Sequence, residues 1–324
     1  MNKLLQKESL TLSHKDVEVL ELAPCERSNG IFVNEVFNDA TARIENPFKA
    51  IIIDKGSDMK KGAKLYQDKN PKTLIIHDIS HILSNVMEKI LKDDPIWEAY
   101  KSDLTHTRHC VQQTEFAALM PPTQRRDARY MDISGIVFWP ERIEDKRKKG
   151  ALEDIPKERF DEYLGWKKKY KKHLVEWANM VRSGEMIKEI IRENLLSHGI
   201  YEYIEGVFEV FNFKGKKIQA FISEALKQIY QEVEKLNPNE RILASTEVLE
   251  SIYGKYKDIN VGSEQGISGN VLGICNFIGP EITEENVLKN MESISTKTML
   301  KWVSEKVTAS IGRLRKRFQI KDKI

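Results

Sequence analysis

The sequence predicts an α/β fold interrupted by a large, mainly helical insertion, and three observations carry that prediction. Residues 49–53 and 73–76 are short apolar runs rich in β-branched side chains, and each leads into a stretch with helical spacing. From about residue 92 to residue 236 this alternation stops and helical periodicity takes over. At Ser245 a strong amphipathic helix returns, and a basic amphipathic stretch follows from Thr298.

The elements follow in order. Residues 16–22, DVEVLEL, alternate as a half-buried strand would, and Ser28-Asn29-Gly30 then supplies turn and capping chemistry. Phe32, Val33, Val36, Phe37 and Ala40 recur at helical spacing until Asn46-Pro47 ends the element. The run KAIIID is apolar on consecutive positions, which suits an interior parallel strand covered on both faces. A lysine-rich helix is predicted over 58–67, then a strand over 73–76. Ile79, Ile82, Leu83, Val86, Met87, Ile90 and Leu91 form the clearest helical stripe in the chain. Strands alternating with helices imply a parallel or mixed sheet with helices packed on it.

Within the insertion, Phe160, Leu164, Leu174, Trp177 and Val181 mark one helix, and Ile187, Ile190, Ile191 and Leu195 another. Phe221, Leu226, Ile229, Tyr230 and Val233 mark a third. A small hairpin around Lys214-Gly215 is compatible with YIEGVFEVFNFKGKKIQAF. The helix after Ser245 has the stripe Leu249, Ile252, Tyr253 and Tyr256. The organisation expected is therefore a core over residues 1–95, an insertion over 96–240, and core completion with basic helices over 241–324.

Composition narrows the class. The 324 residues are 40% apolar and 31% charged, and no stretch approaches the roughly 20 apolar residues of a membrane helix. The start, MNKLLQKESLTLSHKD, is polar, so no signal peptide is expected. Cys25, Cys110 and Cys275 have no CxxC spacing, which indicates neither a disulfide framework nor a cysteine zinc site. The expectation is a reduced, cytoplasmic protein with no membrane partner. Net charge is only +3, but Lys and Arg cluster at 125–129, 146–149, 167–172 and 313–317. Such clusters either track a phosphate backbone or are solvated helix faces.

Three carboxylate-bearing stretches are candidates for chemistry. Asp54 stands at the carboxyl end of the predicted buried strand, where open α/β sheets bind ligands; Gly56 would permit close approach, and Asp58 would open the next helix. Turn capping explains the same residues. In His77-Asp78-Ile-Ser-His81, Asp78 suits an N-cap with His81 at N3, while zinc between the two histidines is the competing reading. In STEVLESIYGKYK, Glu250 and Lys257 share a helical face with Glu247 nearly in line, and first-turn acids are also what a helix dipole favours.

Taken in order, SNG, IIIDKGSDMKKG, IIHDISH, a long insertion and STEVLESIYGKYK resemble a bacterial insertion-sequence transposase of the DDE type, with a ribonuclease H-like catalytic core. VQQTEFAALMPPTQRRDARYM, residues 111–131, is similar to the same group. The resemblance implies that Asp54 is the second catalytic aspartate and Glu250 the glutamate, with an E-x6-K spacing to Lys257. Asp78-x-x-His81 resembles the (Cys or Asp)-x-x-His signature of hAT and Mutator-like groups. The tyrosine and arginine that some of these families carry upstream of the glutamate are replaced by Leu243 and Thr246. The implied activity is Mg²⁺- or Mn²⁺-dependent strand cleavage and strand transfer on double-stranded DNA, by a homo-oligomer associated with the nucleoid. Asp54 and Glu250 would hold metal, His81 and Asp78 would stand beside it or position DNA, and Lys257, Arg125, Arg126 and Arg129 would bind phosphates. The fold normally opens with a hairpin bearing the first aspartate, whereas here DVEVLEL already resembles the third strand. Asp16 lies at the wrong end of that strand to substitute. The expectation is a chain truncated at its amino terminus, and its alternative function is a DNA-binding remnant that does not cleave.

Overall fold

The computed structural model describes residues 12–25, 27–44, 46–54, 56–124, 129–150, 155–211, 213–259, 269–279 and 283–307. Among the described residues the protein is mostly helical, with one small two-stranded parallel sheet. It forms two compact units, residues 1–76 with 245–324 and residues 77–244.

The first unit opens with α1 (Gly30–Ile44), β1 (Ala50–Ile53), α2 (Ser57–Lys69) and β2 (Leu74–His77), a strand–helix–strand unit preceded by a helix. Asn29 starts α1 as expected: its side-chain oxygen accepts the N–H groups of Ile31 and Phe32 at 2.9 and 3.0 Å. Helices α1 and α2 pack closely because Gly62 leaves room for Val33; a Cβ at Gly62 would lie 2.4 Å from Val33 Cγ1. Ile51 and Ile53 of β1 pack on Ala63 and Tyr66 of α2. Phe37 and Phe48 meet the Tyr66 ring at centroid distances of 5.8 and 5.5 Å.

Two expectations for this unit change. Burial alternates along β1, with Ile51 and Ile53 buried and Ala50 and Ile52 half-buried. A two-stranded sheet with one covered face produces that pattern, not an interior strand. The segment 16–22 is not a strand. Its apolar residues Val17 and Leu22 pack by side chain alone, and the Leu20 carbonyl accepts a hydrogen bond from Arg43 at 2.8 Å. Alternation reported half-burial there without a partner strand among the described residues.

The second unit runs through α3 (Ile79–Leu91), α4 (Pro95–Val111), α5 (Arg129–Lys148), α6 (Lys157–Leu164), α7 (Lys171–Asn194), α8 (His198–Phe211) and α9 (Lys216–Val233). The α3 stripe is buried as predicted, with only Ile90 half-exposed, and it packs on α9, α5 and α7. That packing places α3 in this unit, although its sequence position suggested the preceding core. Trp97, Tyr100 and Trp177 form an aromatic centre, the two tryptophan rings meeting edge-on at 4.8 Å. Helix boundaries differ from expectation in two places. A 3-10 segment, Gly165–Tyr170, separates α6 from α7, and α7 then continues without a break to Asn194. It stops where Leu195 takes a positive φ of 65°. The hairpin at Lys214-Gly215 is instead a turn between α8 and α9, made by Gly215 at φ 132°. Leu196 and Ile242 bridge by hydrogen bonds of 2.8 and 3.1 Å, and Ile79 N–H donates to the Ala244 carbonyl at 2.9 Å. The first and last residues of the unit are thus adjacent.

The chain returns to the first unit with α10 (Glu247–Ile259), α11 (Glu284–Ser293) and α12 (Thr296–Lys306). Ile252 of α10 packs with Val271 and Ile274, joined by Val17, Leu22, Val248 and Tyr256. Residues 313–317 of the terminal basic run lie outside the described residues. No helix among the described residues is long and apolar enough to cross a membrane.

Candidate functional site

Asp54 follows β1 directly and is exposed. Its Oδ1 accepts the Gly56 N–H at 2.8 Å, folding the side chain over the turn into α2. This contact is why glycine stands at 56, since a Cβ there would lie 2.8 Å from Oδ1. One oxygen therefore shapes the turn, and the side chain as a whole is exposed. Asp58 sits in the first turn of α2, where its charge suits the helix dipole, while the N-cap position belongs to Gly56.

Glu247 and Glu250 both lie in the first turn of α10, and Lys257 in its last. Ser245 Oγ accepts the Glu247 N–H at 3.2 Å. Glu250 and Lys257 are exposed on one side of the helix, while Ile252 is buried on the other. The predicted stripe holds at Ile252 and Tyr256 and is corrected at Leu249 and Tyr253. Leu249 and Tyr253 are 42% and 51% exposed and share the outward face with Glu250, and Val248 and Tyr256 take the inward positions beside Ile252. A seven-residue spacing fixes which residues share a face, but it does not say which of two apolar rows meets the core.

Asp78 and His81 belong to the other unit. Asp78 is fully buried, and its Oδ1 accepts the His81 N–H at 2.9 Å, the predicted cap with His81 at N3. His77 ends β2 and points its Nδ1 at Glu232 Oε1 of α9, 2.9 Å away. Glu232 Oε2 accepts the His77 N–H at 2.9 Å and the Lys235 ammonium at 2.5 Å. Burial pushes the Glu232 carboxyl up, but hydrogen bonds from His77 and Lys235 outweigh it and hold the group below the usual glutamate range. The partners stand 155 positions apart, and nothing in the sequence signals the pairing.

Asp54, Glu247, Glu250 and Lys257 thus fall in one unit, and Asp78 and His81 in the other. Arg129 begins α5, while Arg125 and Arg126 lie outside the described residues. Among the described residues, no three His, Cys, Asp or Glu side chains come together as a group able to hold a metal ion. The zinc reading at His77 and His81 finds no support in that set. A second contact missed in sequence flanks α10: His14 Nε2 lies 3.2 Å from Ser251 Oγ, and its Nδ1 lies 3.1 Å from Lys255 Nζ.

No protein-family model, curated protein or solved structure matches this chain.

Proposed function

We propose that the chain binds double-stranded DNA as a protein of the DDE transposase type, with a ribonuclease H-like core in which Asp54 and Glu250 are the carboxylates turned toward the scissile phosphate. The observation that carries the reading is the placement of Asp54. It directly follows the first β-strand of a parallel strand–helix–strand unit, is exposed, and is held by a turn that uses one of its oxygens. Glu250 and Lys257 add an acid and a cation on the exposed side of a helix in the same unit. Arg129, Arg125 and Arg126 would contribute phosphate contacts, and the working form on DNA would be a homo-oligomer.

Cleavage in this class calls for Mg²⁺ or Mn²⁺ held by three carboxylates. The absence of such a group among the described residues favours a second reading, a DNA-binding derivative that does not cut. Nicking of insertion-sequence end DNA with Mg²⁺ or Mn²⁺ separates the two. Cleavage that disappears in Asp54→Ala and Glu250→Ala supports the transposase reading, and cleavage that persists unchanged in Asp54→Ala refutes the assignment. Binding without nicking supports the derivative.

A further inference from the structure

Two basic runs separated in sequence meet in the second unit. The Arg147 guanidinium, from the end of α5, lies 4.7 Å from the centre of the Phe160 ring, and the Lys167 ammonium lies 4.6 Å from the same centre. Lys167 is only 6% exposed, and its Nζ pairs with Glu144 of α5 at 2.6 Å. Burial holds its pKa below the usual lysine range, against the pull of Glu144, and Arg147 adds to the depression. A ring and a buried ion pair thus join the two runs.

Most of the nearby acids are already engaged. Glu144 is taken by Lys167, Asp161 by Lys168 at 2.8 Å, and Glu162 by Arg159 at 3.1 Å. Lys146, Lys148 and Lys149 are exposed and make no ion pair among the described residues. Over residues 141–172, twelve Lys and Arg stand against eight Asp and Glu, a net charge of +4. That exceeds the +3 of the whole chain, so the remainder is net acidic and the positive charge is local. A helix dipole favours cations at the end of α5, which accounts for part of the run. It does not account for a buried lysine and an arginine sharing one ring in that setting. Mutual repulsion among these cations is a cost that a polyanion would relieve.

We propose that the end of α5, with α6 and the 3-10 segment after it, is a docking surface for the phosphate backbone of double-stranded DNA. Lys146, Lys148 and Lys149 supply phosphate contacts, and the Phe160–Lys167–Glu144 contact holds the two basic runs in one surface. This rests on the DNA-binding reading above. It adds a contact surface distinct from the carboxylates and from Lys257.

The test is the salt dependence of full-chain binding to a DNA duplex of arbitrary sequence, about 30 base pairs long, for wild type and for a Lys146→Gln, Lys148→Gln, Lys149→Gln triple variant. A Lys89→Gln, Lys216→Gln, Lys227→Gln variant makes the same change in net charge from exposed lysines elsewhere in the unit. Losing three phosphate contacts makes the log–log salt slope shallower by about 2.7, so a fourfold rise in salt weakens the variant about 40-fold less than wild type. A slope at least about 1 shallower than that of the control variant, with unchanged circular dichroism, supports the surface. A smaller difference overturns it while leaving DNA binding in place. Absence of salt-dependent binding by wild type removes the DNA reading itself, and the surface with it.

Discussion

Replacing Glu232 tests whether a buried carboxylate fastens His77 to α9 within the second unit. Its two oxygens accept the His77 N–H and imidazole, both at 2.9 Å, and the Lys235 ammonium. Hydrogen bonds to a charged group contribute about 1.5–3 kcal/mol each, and removing one partner of a buried pair costs about 3–5 kcal/mol. The His77 side chain is 23% exposed, so water recovers part of that loss. Glu232→Ala should therefore cost about 3 kcal/mol. Glu232→Gln keeps a carbonyl oxygen for the His77 N–H and should cost about 1–1.5 kcal/mol. Urea unfolding followed by tryptophan fluorescence reads the right unit, since Trp97, Trp139, Trp166 and Trp177 all lie in it. A pH series adds a second readout. The Glu232 pKa is lowered in the fold, so its contribution is complete above the unfolded value of about 4.3 and is lost as pH falls through the folded value. The gap between wild type and Glu232→Gln should begin to narrow as pH falls below about 4.3 and close once pH passes below the folded value. An alanine variant within about 1 kcal/mol of wild type, or a glutamine variant as damaging as alanine, would refute the reasoning.

Asp78→Ala removes the α3 cap and should cost about 1–2 kcal/mol, whereas Asp78→Asn, which keeps an acceptor for the His81 N–H, should cost less; thermal unfolding ranks the two. Gly62→Ala would place a Cβ 2.4 Å from Val33 Cγ1 and 3.1 Å from the Gly30 carbonyl, so α1 and α2 must separate. It should destabilise the first unit by about 1–3 kcal/mol, measured by amide hydrogen exchange in α1 and α2, and unchanged protection there would show that Val33 rotates away freely.

What was legible in the sequence was mainly local. The Asn29 and Asp78 caps depend on contacts two or three residues away, and both stand as expected. The α3 stripe and the two short apolar strands were also legible, because period and residue type are properties of neighbouring positions. What failed depended on distant partners. DVEVLEL has the alternation of a strand, but no strand among the described residues pairs with it. Leu249 and Tyr253 were placed on the core stripe with Ile252 and Tyr256, yet they are exposed and Val248 packs inward with that pair instead. For the site, the turn at Asp54 and the shared face of Glu250 and Lys257 were visible from spacing. The Glu232–His77 pair and the joining of two basic runs over Phe160 required the fold.

The adjacency of Ile79 and Ala244 bears on the order in which the chain assembles. The second unit is continuous in sequence, whereas the first is divided between residues 1–76 and 245–324. Bringing Ile76 and Ser245 together across an unfolded intervening chain carries the loop-closure entropy of that whole length. Once the intervening unit folds, its ends are a hydrogen bond apart and closure is no harder than making a tight turn. A folded second unit would thus lower the loop-closure cost of the first, and expressing residues 77–244 alone tests whether that unit folds by itself.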